Sequence, residues 1–86
     1  MKVIFHGSVR EYTGGTKNFE AEAPLNLRTL IAVLGEQFGG QFKDFLLGDN
    51  TCFFLVNGTG IMTTGGLNTT LKPVDIVDVL PFVDAG

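Results

Sequence analysis

Little in this sequence favours secretion or insertion into a membrane. The chain of 86 residues has one cysteine, so an intramolecular disulfide is impossible and a reducing compartment is the simpler expectation. No apolar run approaches the roughly 20 residues of a membrane span. Residues 1–7 are too short and too polar a stretch to be a signal peptide. We therefore expect a soluble cytoplasmic protein with no membrane partner.

Charged residues are also scarce. They make up 17% of the chain, the net charge is −3, and no run of six like charges occurs. A protein that binds a phosphate backbone usually presents a basic stripe, so this balance argues against a nucleic-acid partner. The stretches 13–16 and 64–66 are rich in glycine but lack the lysine and the following helix of a phosphate loop. We expect no cofactor bound to this chain.

Apolar residues are plentiful and favour a packed globule. Hydrophobic residues make up 44% of the chain, with 8 phenylalanines and no tryptophan, so phenylalanine is expected to dominate the core. The length predicts one domain. We assign it to residues 1–82 and assign residues 83–86 to a flexible tail, because Pro81 lacks a backbone donor and limits further sheet pairing.

The first quarter of the chain predicts two strands joined by a turn. Residues 2–12 place apolar or small side chains on one face, namely Val3, Phe5, Gly7 and Val9. Residues 17–23 alternate more cleanly and leave one face polar, as in an edge strand; their inward residues are Phe19, Ala21 and Ala23. The glycines of the Thr13–Thr16 stretch suit a hairpin turn.

A single amphipathic helix is predicted next. Asn26 is a plausible N-cap, and Gly39 and Gly40 end the helix. One apolar stripe recurs at helical spacing and consists of Leu27, Leu30, Ile31, Leu34 and Phe38. About 12 residues are too few for an isolated helix, so this one must pack on a sheet. Residues 41–48 fit either a short helical turn or a loop.

The second half of the chain predicts three further strands. Residues 51–57 are apolar on both faces, which indicates an interior strand, and Asn57-Gly58 is a turn signal. Residues 60–62 fit a brief edge strand, and residues 63–72 a loop. The last strand runs from residue 76 towards Pro81 and suits the centre of a sheet, with Asp75 shaping the turn into it.

The ending of the chain resembles that of the MoaD/ThiS family of ubiquitin-like sulfur carriers. The matching positions in the last strand and tail are Asp75, Val77, Pro81, Val83 and Gly86. Two further matches are F-H-G-S-V-R-E-Y-T-G near the start and F-L-V-N-G at residues 54–58. The chain departs from the family pattern at three positions, with Val74, Phe82 and Ala85 in place of Gly, Pro and the penultimate Gly.

This resemblance implies an α+β fold of the β-grasp, ubiquitin-like kind. A mixed sheet of four to five strands would pack on one main helix, with the first and last strands parallel at its centre. An activating enzyme would adenylate the C-terminal carboxylate of Gly86 with ATP, and a thiocarboxylate would follow. The tail residues Val83, Asp84 and Ala85 would thread into a partner. The resemblance is closest to the small subunit of molybdopterin synthase, a sulfur donor for molybdopterin or tungstopterin and not itself an enzyme.

The larger catalytic subunit of the synthase and the activating enzyme are the partners that the resemblance implies. An apolar set on the outward side of the last strand is a candidate surface for docking them: Ile4, Ile76, Leu80 and Phe82. The alternative is that Phe42, Phe45 or a dimer contact covers this set. We expect Cys52 to be a core residue, and His6 lacks neighbours in metal-ligand spacing, so no metal site is predicted.

Two other functions remain open on the sequence. A ubiquitin-like modifier joined to lysines of target proteins uses the same adenylated terminus. A β-grasp interaction module would have no terminal chemistry. The sequence itself shows no set of acid, base and nucleophile typical of an enzyme.

Overall fold

A sheet and two helices form the two layers of the molecule. The computed structural model describes residues 1–22, 25–48 and 51–82. The strands are β1 (Lys2–Phe5), β2 (Asn18–Glu20), β3 (Leu25–Asn26), β4 (Cys52–Val56), β5 (Thr59–Gly60), β6 (Thr70–Leu71) and β7 (Ile76–Pro81). The helices are α1 (Leu27–Phe38) and α2 (Gly40–Leu47), with 3-10 turns at Gly7–Glu11, Ile61–Thr63 and Gly66–Asn68. Within residues 1–22, 25–48 and 51–82, neither helix is long and apolar enough to cross a membrane.

The centre of the sheet is the pair formed by β1 and β7. Five strands are ordered β2-β1-β7-β4-β5, while β3 and β6 form a separate two-stranded sheet. β1 and β7 run parallel, with Val3 opposite Val77 and Phe5 opposite Val79. β2 and β4 pair antiparallel on either side. The parallel central pair and the edge position of β2 confirm the predicted β-grasp roll.

Helix α1 forms as the sequence predicts. The backbone N–H of Thr29 donates to Asn26 Oδ1 at 2.8 Å, which supplies the N-cap. Gly39 ends the helix with a φ of 111°, a value that L side chains rarely adopt. The apolar stripe faces the sheet, and four of its five members are buried: Leu27, Leu30, Ile31 and Leu34. This packing gives a short helix the support it lacks in water.

Helix α2 adds an aromatic cluster to the core. The ring of Phe42 lies 5.7 Å from that of Phe5 and 5.8 Å from that of Phe38, both edge to face. Phe38 in turn meets Phe5 at 5.5 Å. Tyr12 stacks on Phe45 at 4.4 Å between ring centroids. Residues 41–48 are therefore mostly helical, and phenylalanine does dominate this part of the core.

The first strand is shorter than the alternation of residues 2–12 predicts. It ends at Phe5, because Gly7 takes a φ of +55° and turns the chain into a 3-10 helix. Val9 is still fully buried, so it continues the apolar pattern without belonging to a strand. Arg10 Nε donates to the carbonyl of Phe5 at 2.9 Å and holds this turn against the end of β1.

Three other boundaries differ from the sequence-based expectation. The second strand covers 18–20 rather than 17–23, although Ala21 N still donates to Met1 O at 3.0 Å, and Ala23 lies outside the described residues. The short strand after the Asn57-Gly58 turn is Thr59–Gly60, and Ile61 begins a 3-10 turn instead. The predicted loop of residues 63–72 contains β6, whose pairing with β3 buries Leu71.

A side-chain network fixes the start of β7. Asn57 occupies the left-handed region with a φ of +52°, and its Oδ1 accepts from Ile76 N at 2.9 Å. Its Nδ2 donates to Asp75 Oδ1 at 2.9 Å, and Asp75 Oδ2 accepts from Lys72 N at 2.8 Å. The backbone N–H of Lys72 and the amide of Asn57 lower the pKa of Asp75 from its usual 3.8. Asp75 thus shapes the turn, as predicted.

Replacing Leu30 by alanine is expected to reduce the free energy of unfolding by about 2–5 kcal/mol, because the side chain is fully buried between α1 and the sheet. Urea denaturation measures the change. Gln37→Ala is the matched control, since Gln37 lies on the exposed side of the same helix. Equal midpoints for the two variants would contradict the packing described here.

Replacing Asp75 by asparagine is expected to lower the free energy of unfolding by about 1–3 kcal/mol at neutral pH. One carboxylate oxygen becomes an NH2 group, which then faces either the Nδ2 of Asn57 or the backbone N–H of Lys72, both of them donors. The folded-state pKa of Asp75 is lowered, so its stabilisation is present above about 3.8 and is lost as the pH falls through the folded-state value. The stability gap between wild type and Asp75→Asn should therefore shrink in acid. Asp44→Asn, at an exposed carboxylate, is the control; a gap that stays constant down to about pH 2 would contradict this assignment.

Candidate functional site: the outer face of the sheet

The central strand carries the chain out of the core towards its C-terminus. Pro81 lies opposite Cys52 at the end of β7, and Phe82 N donates to Thr51 O at 3.1 Å. Backbone pairing thus continues one residue beyond Pro81, further than the sequence predicts. The four tail residues assigned to the site lie outside the described residues: Val83, Asp84, Ala85 and Gly86. The described chain stops beside the sheet face that carries Phe82.

The predicted docking residues share the sheet face turned away from the helices, called here the outer face. Along β7 the inward residues Val77 and Val79 are fully buried, whereas Ile76 is 42% exposed. Phe82 is 52% exposed, and Ile4 and Leu80 are partly exposed. Alternation along each strand places these side chains on one side of the sheet. The geometry therefore brings together the set Ile4, Ile76, Leu80 and Phe82.

Phe53 belongs to the same face and was missed by the sequence reasoning. It lies opposite Leu80 across the β4–β7 pair and is 40% exposed. Its ring meets that of Phe82 edge to face, with centroids 6.5 Å apart. Because residues 52–56 are all apolar, their sequence does not indicate which face is covered. Phe53 extends the apolar surface across three strands.

The residues that might have covered this surface lie elsewhere. Phe42 is buried in the core with Phe5, on the opposite side of the sheet. Phe45 stacks on Tyr12 in the helical layer. The alternative in which Phe42 or Phe45 shields the outer face is therefore wrong.

A polar pair lies in the middle of the outer face. His6 Nε2 and Asp78 Oδ1 are 2.8 Å apart, and their side chains are 38% and 23% exposed. Ile4 and Leu55 are the cross-strand neighbours of Asp78. The pair joins residues that are 72 positions apart, so only the parallel pairing of β1 with β7 reveals it. An apolar face thus has a carboxylate at its centre.

Cys52 is partly buried beside the end of α2. Cys52 Sγ lies 3.8 Å from the carbonyl oxygen of Leu46, and burial raises the pKa of the thiol from its usual 9.0. The protonated thiol is a packing group, as predicted. Among residues 1–22, 25–48 and 51–82, no three His, Cys, Asp or Glu side chains cluster to hold a metal ion.

The parallel central pair, the crossing helix α1 and the apolar outer face define a protein of the β-grasp, ubiquitin-like class. Solved structures of this class are similar to it along nearly their whole length. A chain of the Amycolatopsis orientalis BexX/CysO complex is 26% identical, with a TM-score of 0.84, over 99% of this chain and 98% of that one. Small archaeal modifier protein 1 of Methanosarcina acetivorans is 25% identical, with a TM-score of 0.80, over 99% and 94%.

A third similar structure is a complex of subunits 1 and 2 of the molybdopterin-converting factor of Helicobacter pylori. The matched chain is 30% identical to this one, with a TM-score of 0.66, over 99% of this chain and 96% of that one. No curated protein sequence matches the chain. The ThiS family model matches residues 3–86, and the chain therefore belongs to the ThiS family of ubiquitin-like sulfur carriers.

Proposed function

We propose that this chain carries sulfur as a thiocarboxylate on Gly86 and donates it in molybdopterin or tungstopterin synthesis. The observation that supports this most is the path of β7, which leads from the core to Phe82 at the border of the exposed apolar face. Gly86 follows Phe82 by four residues, an extended reach of at most about 14 Å. A partner docked on the outer face is therefore close enough to receive the C-terminus.

The terminal chemistry requires an activating enzyme. A carboxylate is a poor electrophile at neutral pH because it carries a negative charge. Attack of the Gly86 carboxylate on ATP releases pyrophosphate and leaves an acyl-adenylate, from which a sulfur nucleophile displaces AMP. The activating enzyme binds the ATP, and this chain supplies the carboxylate and the surface that positions it.

The tail must be slim enough to thread into a partner. Gly86 has no side chain and Ala85 has a single methyl group. Alanine restricts positive φ values that the family's usual glycine allows, but it costs little in an extended chain. In this proposal the domain ends at residue 82, and residues 83–86 are the segment that enters the partner.

The pterin branch is favoured by the 30% identity to a chain of the Helicobacter pylori molybdopterin-converting factor complex. By analogy, the larger catalytic subunit of a synthase is the second partner, and this chain is its non-catalytic small subunit. A second candidate function is a protein modifier attached through Gly86 to lysines. The 25% identity to a small archaeal modifier protein favours it.

Intact-mass spectrometry of the chain isolated together with its native activating enzyme separates these functions. Exchange of one oxygen for sulfur supports the carrier, and lysine-linked adducts support the modifier. If the chain shows neither after incubation with ATP and a sulfur donor, the proposal fails and the chain is an interaction module.

Deleting Gly86 is expected to abolish thiocarboxylate formation without unfolding the domain. The reacting carboxylate would move to Ala85, about 3.5 Å short of its place, and a misplacement of 1 Å can cost about 100-fold in rate. Ala85→Gly is the matched variant and should transfer sulfur as well as wild type or better, because it widens the accessible φ. Wild-type transfer by the deletion variant would show that the terminus is not the reacting part.

Replacing Phe82 by alanine is expected to weaken partner binding by more than about 1 kcal/mol. Because Phe82 is 52% exposed, the melting temperature should change little. Titration calorimetry with the activating enzyme measures the affinity. Leu47→Ala is the control, since Leu47 is 48% exposed, close to the value for Phe82, but lies on α2 in the helical layer. Equal losses at the two sites, or a collapse of the fold, would count against docking on the outer face.

A further inference from the structure

The carboxylate of Asp78 is enclosed by apolar neighbours. Ile76 and Leu80 flank it along β7, and Ile4 and Leu55 lie beside it on β1 and β4. Its Oδ1 meets His6, whereas its Oδ2 has no hydrogen-bond partner in the described part of the chain. An ionised carboxylate offers about four acceptor sites. In the isolated chain, the acceptor sites of Asp78 that His6 does not use are left to solvent.

A partner that covers the outer face removes this solvent. Leaving a carboxylate buried with an unfilled acceptor is costly, and a docked surface avoids the cost only by supplying a donor. The remaining charges of the face do not fill this role. Lys2 lies on the same face, opposite Ile76 of β7, but it forms no ion pair with Asp78 in the described part of the chain. Asp78 remains the central negative charge.

We propose that the activating enzyme docks on the outer face with a cationic side chain, best matched by an arginine guanidinium, directed at Asp78 Oδ2. A guanidinium suits this place because its planar fork pairs with carboxylates and is weakly hydrated. His6 is the positioning residue, since its bond to Oδ1 holds the carboxylate against the sheet. The proposal rests on the proposed function and deepens it, because it assigns the chemistry that the partner must present.

This charge at the centre of an apolar face gives the docking surface its selectivity. An entirely apolar partner surface would contact Phe53 and Phe82 but leave Asp78 unpaired. An acidic partner surface would be repelled. The face therefore favours an apolar patch with one cation at its middle.

ATP–pyrophosphate exchange by the activating enzyme tests the inference, with this chain as the varied substrate. Asp78→Asn is expected to raise KM for the chain roughly 10- to 100-fold with kcat nearly unchanged, as for a buried charge pair that loses one member. Glu20→Gln removes the same charge from the edge of the face and should leave KM close to wild type. Melting curves establish that both variants are folded.

Salt dependence separates a cation from a neutral donor. Raising sodium chloride from about 0.05 to about 0.5 M should increase KM for the wild-type chain but have much less effect on Asp78→Asn. If Asp78→Asn raises KM with an unchanged salt dependence, the donor is neutral and the cation is ruled out. If Asp78→Asn matches wild type, the inference is wrong while the carrier function stands. If the wild-type chain supports no exchange, the proposed function fails and the inference fails with it.

Discussion

The parallel pairing of β1 with β7 is the constraint on which the rest of this structure depends. It joins the two ends of the domain and places Val3, Phe5, Val77 and Val79 in one fully buried layer. Helix α1 covers that layer, and the Asn57–Asp75 network fixes where β7 begins. Side chains alternate along each strand, so the register that aligns the buried residues of β1 and β7 also aligns Ile4 with Asp78 on the outer face.

The two faces of the sheet serve different purposes. The inner face is closed by α1, α2 and a cluster of phenylalanines, and its central residues Val3, Phe5, Val77 and Val79 are fully buried. The outer face keeps large apolar side chains such as Ile76 and Phe82 in solvent, which is unfavourable unless a partner covers them. The carboxylate of Asp78 also lies on this face, and its side-chain partner His6 is not part of the buried core. Such a surface suits a protein that binds and releases partners, because the residues that contact the partner are not the ones that stabilise the fold.

Local signals in the sequence predicted most of the fold. The Asn26 cap, the stripe of α1 and the Asn57-Gly58 turn each depend on residues a few positions apart, and each is found in the structure. The prediction failed at residues 7–11, where a strand and a 3-10 helix both explain the spacing of the apolar residues. Val9 is buried, as its spacing with Phe5 suggests, but it lies in a 3-10 helix. The His6–Asp78 pair and the position of Phe53 depend on strand register, which the sequence does not contain in any short window.

The central position of β7 also bears on the proposed sulfur transfer. A chain that leaves the sheet from its middle strand begins beside the outer face, where the proposed partners would dock. Phe82 still donates to Thr51, so the chain is held to the sheet up to the residue that contacts Phe53. In the proposed function, residues 83–86 reach the partner from Phe82, which lies on the outer face.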